Sequence, residues 1–406
     1  MIKTEVALVI AVNILATFGL TEATVRLMHR GSPSYSEYTG QAGDGYYASS
    51  KTNTFTLKKS FSGWHQNQDR YLDNEPFRVP VNTDAQGFRL TIKPNKQCSN
   101  HKKLLILGDS YTFGYSLRDE DTVASAIQKL ANTSNKCIVV INAGYADGYE
   151  TDQIHSWLYQ NIARIKPDYV LYNVFSGNDI HGIDQTAWKD LTSNGLPRQW
   201  ISPSIYVENG FIKETHGTPP LYLYYVPLVR ESKTLATVES MLRILVRKFG
   251  IDLRAGFQED LLGHMYGDYS DKFISKERIF LKLIESMNNL AIANNAKFYI
   301  SYMPANFEVY PELVEKILPG SRRYNRNATP TNYGSRLCDL VSAIGIQCLN
   351  LTTSMQKDIA NKNIKHAQLL KENYFYPVHG EIHMSKSGAS FSGEQIYNRF
   401  FNNKLP

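Results

Sequence analysis

The chain has 406 residues with 42% hydrophobic and 20% charged content, enough apolar material for one large core or two modest ones and too much for a disordered chain. Its formal net charge of +6 is spread through pairs such as Lys102-Lys103, Arg247-Lys248 and Arg322-Arg323, with no long basic block beside them, which sets nucleic-acid binding aside. The glycines from Gly40 to Gly45 precede no helix and lack a Gly-Lys-Ser/Thr ending, so they form no phosphate loop.

In chain order, Val6 to Leu20 is nearly uniformly apolar, between Lys3 on one side and Arg26 and Arg30 on the other. That length fits a signal-peptide core, and a spanning helix of about 20 residues is reached by including Thr21 to Leu27. Thr21-Glu22-Ala23 is a poor small-x-small cleavage site. Residues 1–30 are therefore expected to be an uncleaved membrane anchor, with secretion after cleavage and a buried N-terminal helix as alternatives. Residues 31–100 are rich in Ser, Tyr, Asn and Gly with few long apolar runs, and are expected to be a stalk leading into short extended segments.

Regular alternation then begins. Leu104 to Leu107 is predicted as strand, Thr122 to Leu130 as helix, Ile138 to Ile141 as strand, Thr151 to Ile165 as helix and Tyr169 to Phe175 as strand. It resumes with Lys276 to Ala293 as helix, Lys297 to Tyr302 as strand, Tyr333 to Ile344 as helix, Gln347 to Leu351 as strand and a last helix from Lys386 to Phe401. Strands alternating with helices imply an α/β fold with a parallel sheet covered on both faces. Between Ile183 and Ser275 the pattern lapses, with Pro203, Pro219, Pro220 and Pro227 among Tyr222, Tyr224 and Tyr225. Residues 183–275 are thus an insertion leaving one end of the sheet, placed for a lid or substrate wall or for a small packed subdomain.

The chemistry gathers where predicted strands end. Leu107-Gly108-Asp109-Ser110-Tyr111-Thr112-Phe113-Gly114 puts Ser110 between a strand and a helix, at the sheet edge where pockets of open α/β folds lie and beside helix N–H groups that can hold an oxyanion. Asn142-Ala143-Gly144, Ser176-Gly177-Asn178-Asp179 and Glu381-Ile382-His383 follow, each near a strand end or before the final helix. His379 and His383 have zinc-like helical spacing, but Pro377 and Gly380 argue against a helix there, so no metal and no cofactor is expected.

Together these blocks resemble the SGNH (GDSL-type) hydrolase superfamily from roughly Lys102 to the C-terminus. Val81-Asn82-Thr83-Asp84-Ala85-Gln86-Gly87-Phe88-Arg89 is similar to the Asn…Gly-Phe-Arg lead-in of membrane-anchored bacterial members. The resemblance implies a flavodoxin-like three-layer α/β/α sandwich with a five-stranded parallel sheet in the order 2-1-3-4-5, spanning residues 101–406. It implies Ser110 as nucleophile, His383 as base and Glu381 as the acid orienting it, where family members place an aspartate; a backbone carbonyl is the alternative to Glu381. It also implies an oxyanion hole from the N–H groups of Ser110 and Gly144 and the amide of Asn178. The family's third block reads Gly-x-Asn-Asp, and here Ser176 takes the first place. Asp109 and Asp179 are expected to brace their loops.

Four cysteines allow two pairs, Cys98 with Cys137 and Cys338 with Cys348, which favours an oxidising compartment; four buried thiols are the alternative. The expectation is an anchored serine esterase facing the periplasm or exterior, cleaving a small ester, a lipid or an O-acylated glycan. An O-acyltransferase acting on envelope polysaccharide and a catalytically silent ligand-binding module remain as alternatives, and protein partners are not specified.

Overall fold

Leu104, Leu105, Ile106 and Leu107 are all buried, and successive members face different cores. That is what period-two side-chain geometry does to a strand covered on both faces. The computed structural model describes residues 2–28, 45–66, 78–95, 100–147, 149–214, 232–235, 263–267, 269–311, 331–364, 374–376 and 383–402. Its central strands are β1 (Lys102–Gly108), β2 (Ile138–Gly144), β3 (Tyr169–Val174), β4 (Lys297–Tyr302) and β5 (Gln347–Asn350). They form one five-stranded sheet, all parallel, in the expected order 2-1-3-4-5.

Helices cover both faces. The core holding Leu105 and Leu107 also takes Trp157, Leu158 and Ile162 of α3 (Thr151–Ile165), Phe280, Leu283 and Met287 of α4 (Asp271–Ala293), and Leu337 and Val341 of α5 (Tyr333–Ala343). The other face, with Leu104 and Ile106, takes Val123 and Ile127 of α2 (Val123–Thr133), Met355 of α6 (Leu351–Asn361), and Ile396 and Tyr397 of α7 (Lys386–Phe400). Each fully buried Leu, Ile or Phe in these layers contributes about 1.5–3 kcal/mol. Helices α2, α4, α6 and α7 start where the sequence supplies a cap: Thr122, Ser270, Asn350 and Ser385 each accept an N–H of the first turn.

The expected stalk is corrected in part. Residues 47–50 pair antiparallel with 54–57, and 62–66 with 78–82. Tyr46, Tyr47, Phe55, Leu57, Val81 and Phe88 belong to the same core as Leu105. Such four- and five-residue strands carry only two or three inward side chains each, so their apolar content never forms a run, but aromatic residues make up the area. Arg89 bridges antiparallel to Asn142 in β2, an edge strand, and so covers part of that edge.

Of the insertion, residues 188–191 pair with 197–200, and 205–208 with 211–214. The first pair is tied to α3 through Asp152, whose Oδ2 accepts from Trp188 Nε1 at 2.6 Å, Trp200 Nε1 at 3.1 Å and the Asp184 N–H at 3.0 Å. Pro219, Pro220, Pro227 and the tyrosines among them lie outside the described residues.

Residues 1–45 with 216–252 form a separate unit. In it Ile2–Met28 is one helix, and Glu22 accepts from the Ser232 hydroxyl at 2.8 Å and from the N–H groups of Lys233 and Thr234 at 2.9 Å each. The expected membrane anchor is not supported: among the described residues no helix is long and apolar enough to cross a membrane. Glu5 and Glu22 bound the uncharged run from Val6 to Thr21, which falls short of the roughly 20 residues a span requires.

Candidate active site

Strand β1 ends in a turn that only glycine fits. Gly108 has φ +152°, and a Cβ there would meet the Thr112 hydroxyl and the Asn173 carbonyl oxygen. Asp109 then caps α1 (Ser110–Phe113), its Oδ1 accepting from the Tyr111 N–H at 3.0 Å. Ser110 is thereby the first residue of a helix, with its hydroxyl at the carboxyl edge of the sheet.

His383 stands two residues before Ser385, the cap of α7, and its Nε2 lies 2.8 Å from Ser110 Oγ. The ring is held against Tyr115 and Tyr111, with centroids 4.7 and 5.4 Å away. The structure thus brings together the serine and the histidine singled out from opposite ends of the domain. Glu381 lies outside the described residues. Burial raises the Asp109 and Asp147 carboxyls, and charge on His383 pulls both down.

Asn178 lies in the turn after β3. The Asn178 and Asp179 N–H groups donate to the Phe175 carbonyl at 3.4 and 3.1 Å, and Asp179 Oδ2 accepts from the Phe175 N–H at 2.8 Å. The Asn178 side chain lies near both the Asp109 and Glu150 carboxyls. Burial pushes Asp109 up to about 6, against the pull of the Tyr111 N–H and of His383. Burial, then the neighbouring Asp109 and Asp152, push Glu150 up to about 8, and burial with Asp109 and Glu150 raises Asp179. Asp109 and Asp179 brace the Ser110 and Asn178 turns through the Tyr111 and Phe175 N–H groups, as expected.

Gly144 is used differently from the expectation. It ends β2 opposite Gly108, and its N–H donates to Asn142 Oδ1 at 3.0 Å, so that hydrogen is engaged within its own strand end. A Cβ at Gly144 would strike the backbone of Thr112 and Phe113. Glycine is required here for close approach of β2 to α1.

The upstream Gly-Phe-Arg stretch supplies a contact that sequence reasoning left without a role. Arg89 is fully buried and donates to the carbonyls of Phe113 and Gly114 at 2.7 Å each, to that of Leu117, and to Asp119 Oδ1 at 3.0 Å. It thereby gathers the carbonyls that close the Ser110 helix. The signal was present as a motif, but its target lies 24 residues away in sequence.

The chain is similar to the psychrotrophic esterase EstA from Pseudoalteromonas sp. (13% identity, TM-score 0.34, covering 74% of this chain and 100% of that one). It is likewise similar to a lipolytic protein of the G-D-S-L family from Desulfitobacterium hafniense DCB-2 (13%, 0.35, 73% and 99%) and to the acetyl xylan esterase AlAXEase (14%, 0.38, 74% and 100%). No family model and no curated protein matches the sequence.

Proposed function

We propose that this chain is an SGNH-type serine hydrolase that cleaves carboxylic esters through an acyl-enzyme. The observation that carries the reading is the 2.8 Å contact between Ser110 Oγ and His383 Nε2 at the start of a helix. Ser110 Oγ attacks the ester carbonyl while its proton passes to His383 Nε2. The oxyanion that forms faces the Ser110 N–H, one of the helix-opening donors with no partner inside the helix, and the N–H of the Asn178 amide. As the tetrahedral species collapses, the alkoxide leaves with the proton from His383 as free alcohol. Water then attacks the acyl-enzyme, gives its proton to His383, and the carboxylic acid departs as that proton returns to Ser110 Oγ.

An oxidising, extracytoplasmic setting suits this reading, because Cys338 and Cys348 are joined in a disulfide and Cys137 is also disulfide-bonded, while Cys98 lies outside the described residues. Purified protein assayed on p-nitrophenyl acetate and butyrate, beside Ser110→Ala and His383→Ala, tests the function. Activity lost in both variants with folding intact supports it. Folded wild type that is inert on the panel and unlabelled by a fluorophosphonate refutes it.

A further inference from the structure

Behind the turn that carries Asn178 runs a chain of side chains drawn from distant parts of the sequence. His181 Nε2 lies 3.2 Å from His264 Nδ1, His264 Nε2 3.0 Å from Ser176 Oγ, and Ser176 Oγ 2.8 Å from Tyr302 Oη. The Tyr302 hydroxyl donates to the Glu308 carboxylate, 2.8 and 3.0 Å from its two oxygens. Ser176, His264, Tyr302 and Glu308 are all buried.

Counting hydrogens gives the chain a direction. Glu308 also accepts from the Ala305 N–H at 2.9 Å, and with its carboxylate ionised it is the terminal acceptor. Tyr302, having given its hydrogen to Glu308, accepts from the Ser176 hydroxyl. Ser176 in turn accepts from His264 Nε2–H, and a neutral His264 with that tautomer accepts on Nδ1 from His181 Nε2–H. Each hydroxyl and the His264 ring gives one hydrogen and takes one, so deleting any of them leaves a buried polar group unpaired.

The surroundings hold the chain still. Phe273 stacks on His264 at 4.5 Å and Tyr333 meets it edge-on at 4.7 Å, an apolar sleeve that keeps water from competing. The backbone beside His264 is pinned by the Thr331 N–H on the Met265 carbonyl at 2.7 Å. Ser176 sits in the Asn178 turn at the place where the resembling family carries glycine, and its hydroxyl ties that turn to β4 through Tyr302 and to the inserted segment through His264.

We propose that Ser176, His264 and Tyr302 are positioning residues for the oxyanion turn, acting on catalysis through Asn178. The proposal rests on the ester-hydrolase reading above. It gives the insertion a role behind the site, as the source of His264.

The test measures kcat, KM and Tm for Ser176→Ala, Tyr302→Phe, His264→Leu and His264→Gln on the best p-nitrophenyl ester. The single deletions are expected to lower kcat by about 10²-fold with little change in KM, the cost of displacing a catalytic donor by roughly 1 Å. His264→Gln, whose amide N–H can stand where Nε2–H stood, is expected to recover most of the loss. In an Asn178→Ala background Ser176→Ala is expected to cost less than about twofold, because the group it positions is gone. Equal losses with and without Asn178 overturn the proposal. So does an unchanged kcat in the single variants, which leaves the esterase reading standing, whereas a folded wild type inert on esters and phosphonate removes both. Should His264→Leu fail to fold, Ser176→Ala and Tyr302→Phe carry the same cycle.

Discussion

The Arg89 guanidinium donates to the Phe113 carbonyl at 2.7 Å and lies over the Phe113 ring at 4.4 Å, so one buried cation grips both the backbone and the side chain of the residue that ends the Ser110 helix. Its further bonds to Gly114, Leu117 and Asp119 make the N-terminal extension part of the support of the Ser110 helix. Arg89→Met keeps much of the volume and removes every donor. Each orphaned buried carbonyl costs about 1–3 kcal/mol, so Tm should fall by many degrees. Fluorophosphonate labelling of Ser110, measured well below the lowered Tm, should slow at least tenfold by roughly the same free energy. Unchanged labelling would separate Arg89 from Ser110.

Gly144→Ala distinguishes close approach from hydrogen-bond donation. Alanine retains the N–H but sets its Cβ against the backbone of Thr112 and Phe113, which cannot yield as a side chain can. Both Tm and kcat are expected to drop, the second because α1 carries Ser110. A variant with wild-type Tm and kcat in a standard melt and ester assay would contradict this packing.

Glu150 makes stability depend on pH. The residue is partly exposed, but its Oε2 is sealed off without a hydrogen bond among the described residues, and burial lifts it from 4.5 to about 8. Between those values the folded state holds a proton that the unfolded state has released. Stability contributed by that proton is full below the unfolded pKa and is lost as pH rises toward the folded one. Glu150→Gln, neutral at every pH, should therefore show a shallower fall in Tm from pH 5.5 to 8.5 than wild type. Parallel curves for the two proteins would place the pH dependence elsewhere.

The Cys338–Cys348 bond closes a loop between residues 10 apart, joining α5 to β5. Closing so short a loop is worth about 3 kcal/mol or less. Strand β5 is at one edge of the sheet, with β4 and β3 between it and β1. Cys338→Ser/Cys348→Ser is therefore expected to lower Tm by several degrees while leaving ester turnover at low temperature within about twofold of wild type, the additivity expected of separate sites. A large loss of kcat without a loss of Tm would speak against that separation.

Much of the central scaffold was legible because its signals are local. Leu104 to Leu107 is apolar at every position, as a strand buried on both faces must be, and the helices capped by Thr122 and Ser385 start where they were predicted, whereas the helix before β4 starts at Asp271 behind Ser270, ahead of the predicted Lys276. The serine and histidine were legible for the same reason, since each lies beside a turn or cap that its neighbours specify. The segment from Tyr46 to Arg89 was not, because strands with two inward residues leave no periodic run, and Tyr47, Phe55 and Leu57 reveal their partners only once folded.

By itself the sequence determined the alternation of strands and helices, the place of Ser110 at a strand-to-helix turn and the place of His383 before the last helix. Those depend on residues adjacent in the chain. The tertiary structure decided that the Gly144 N–H serves Asn142, that Arg89 closes the Ser110 helix, and that His264 of the insertion reaches Ser176 across 88 residues of sequence. Each of these is set by side-chain direction and by the packing of distant elements, quantities that no local pattern encodes.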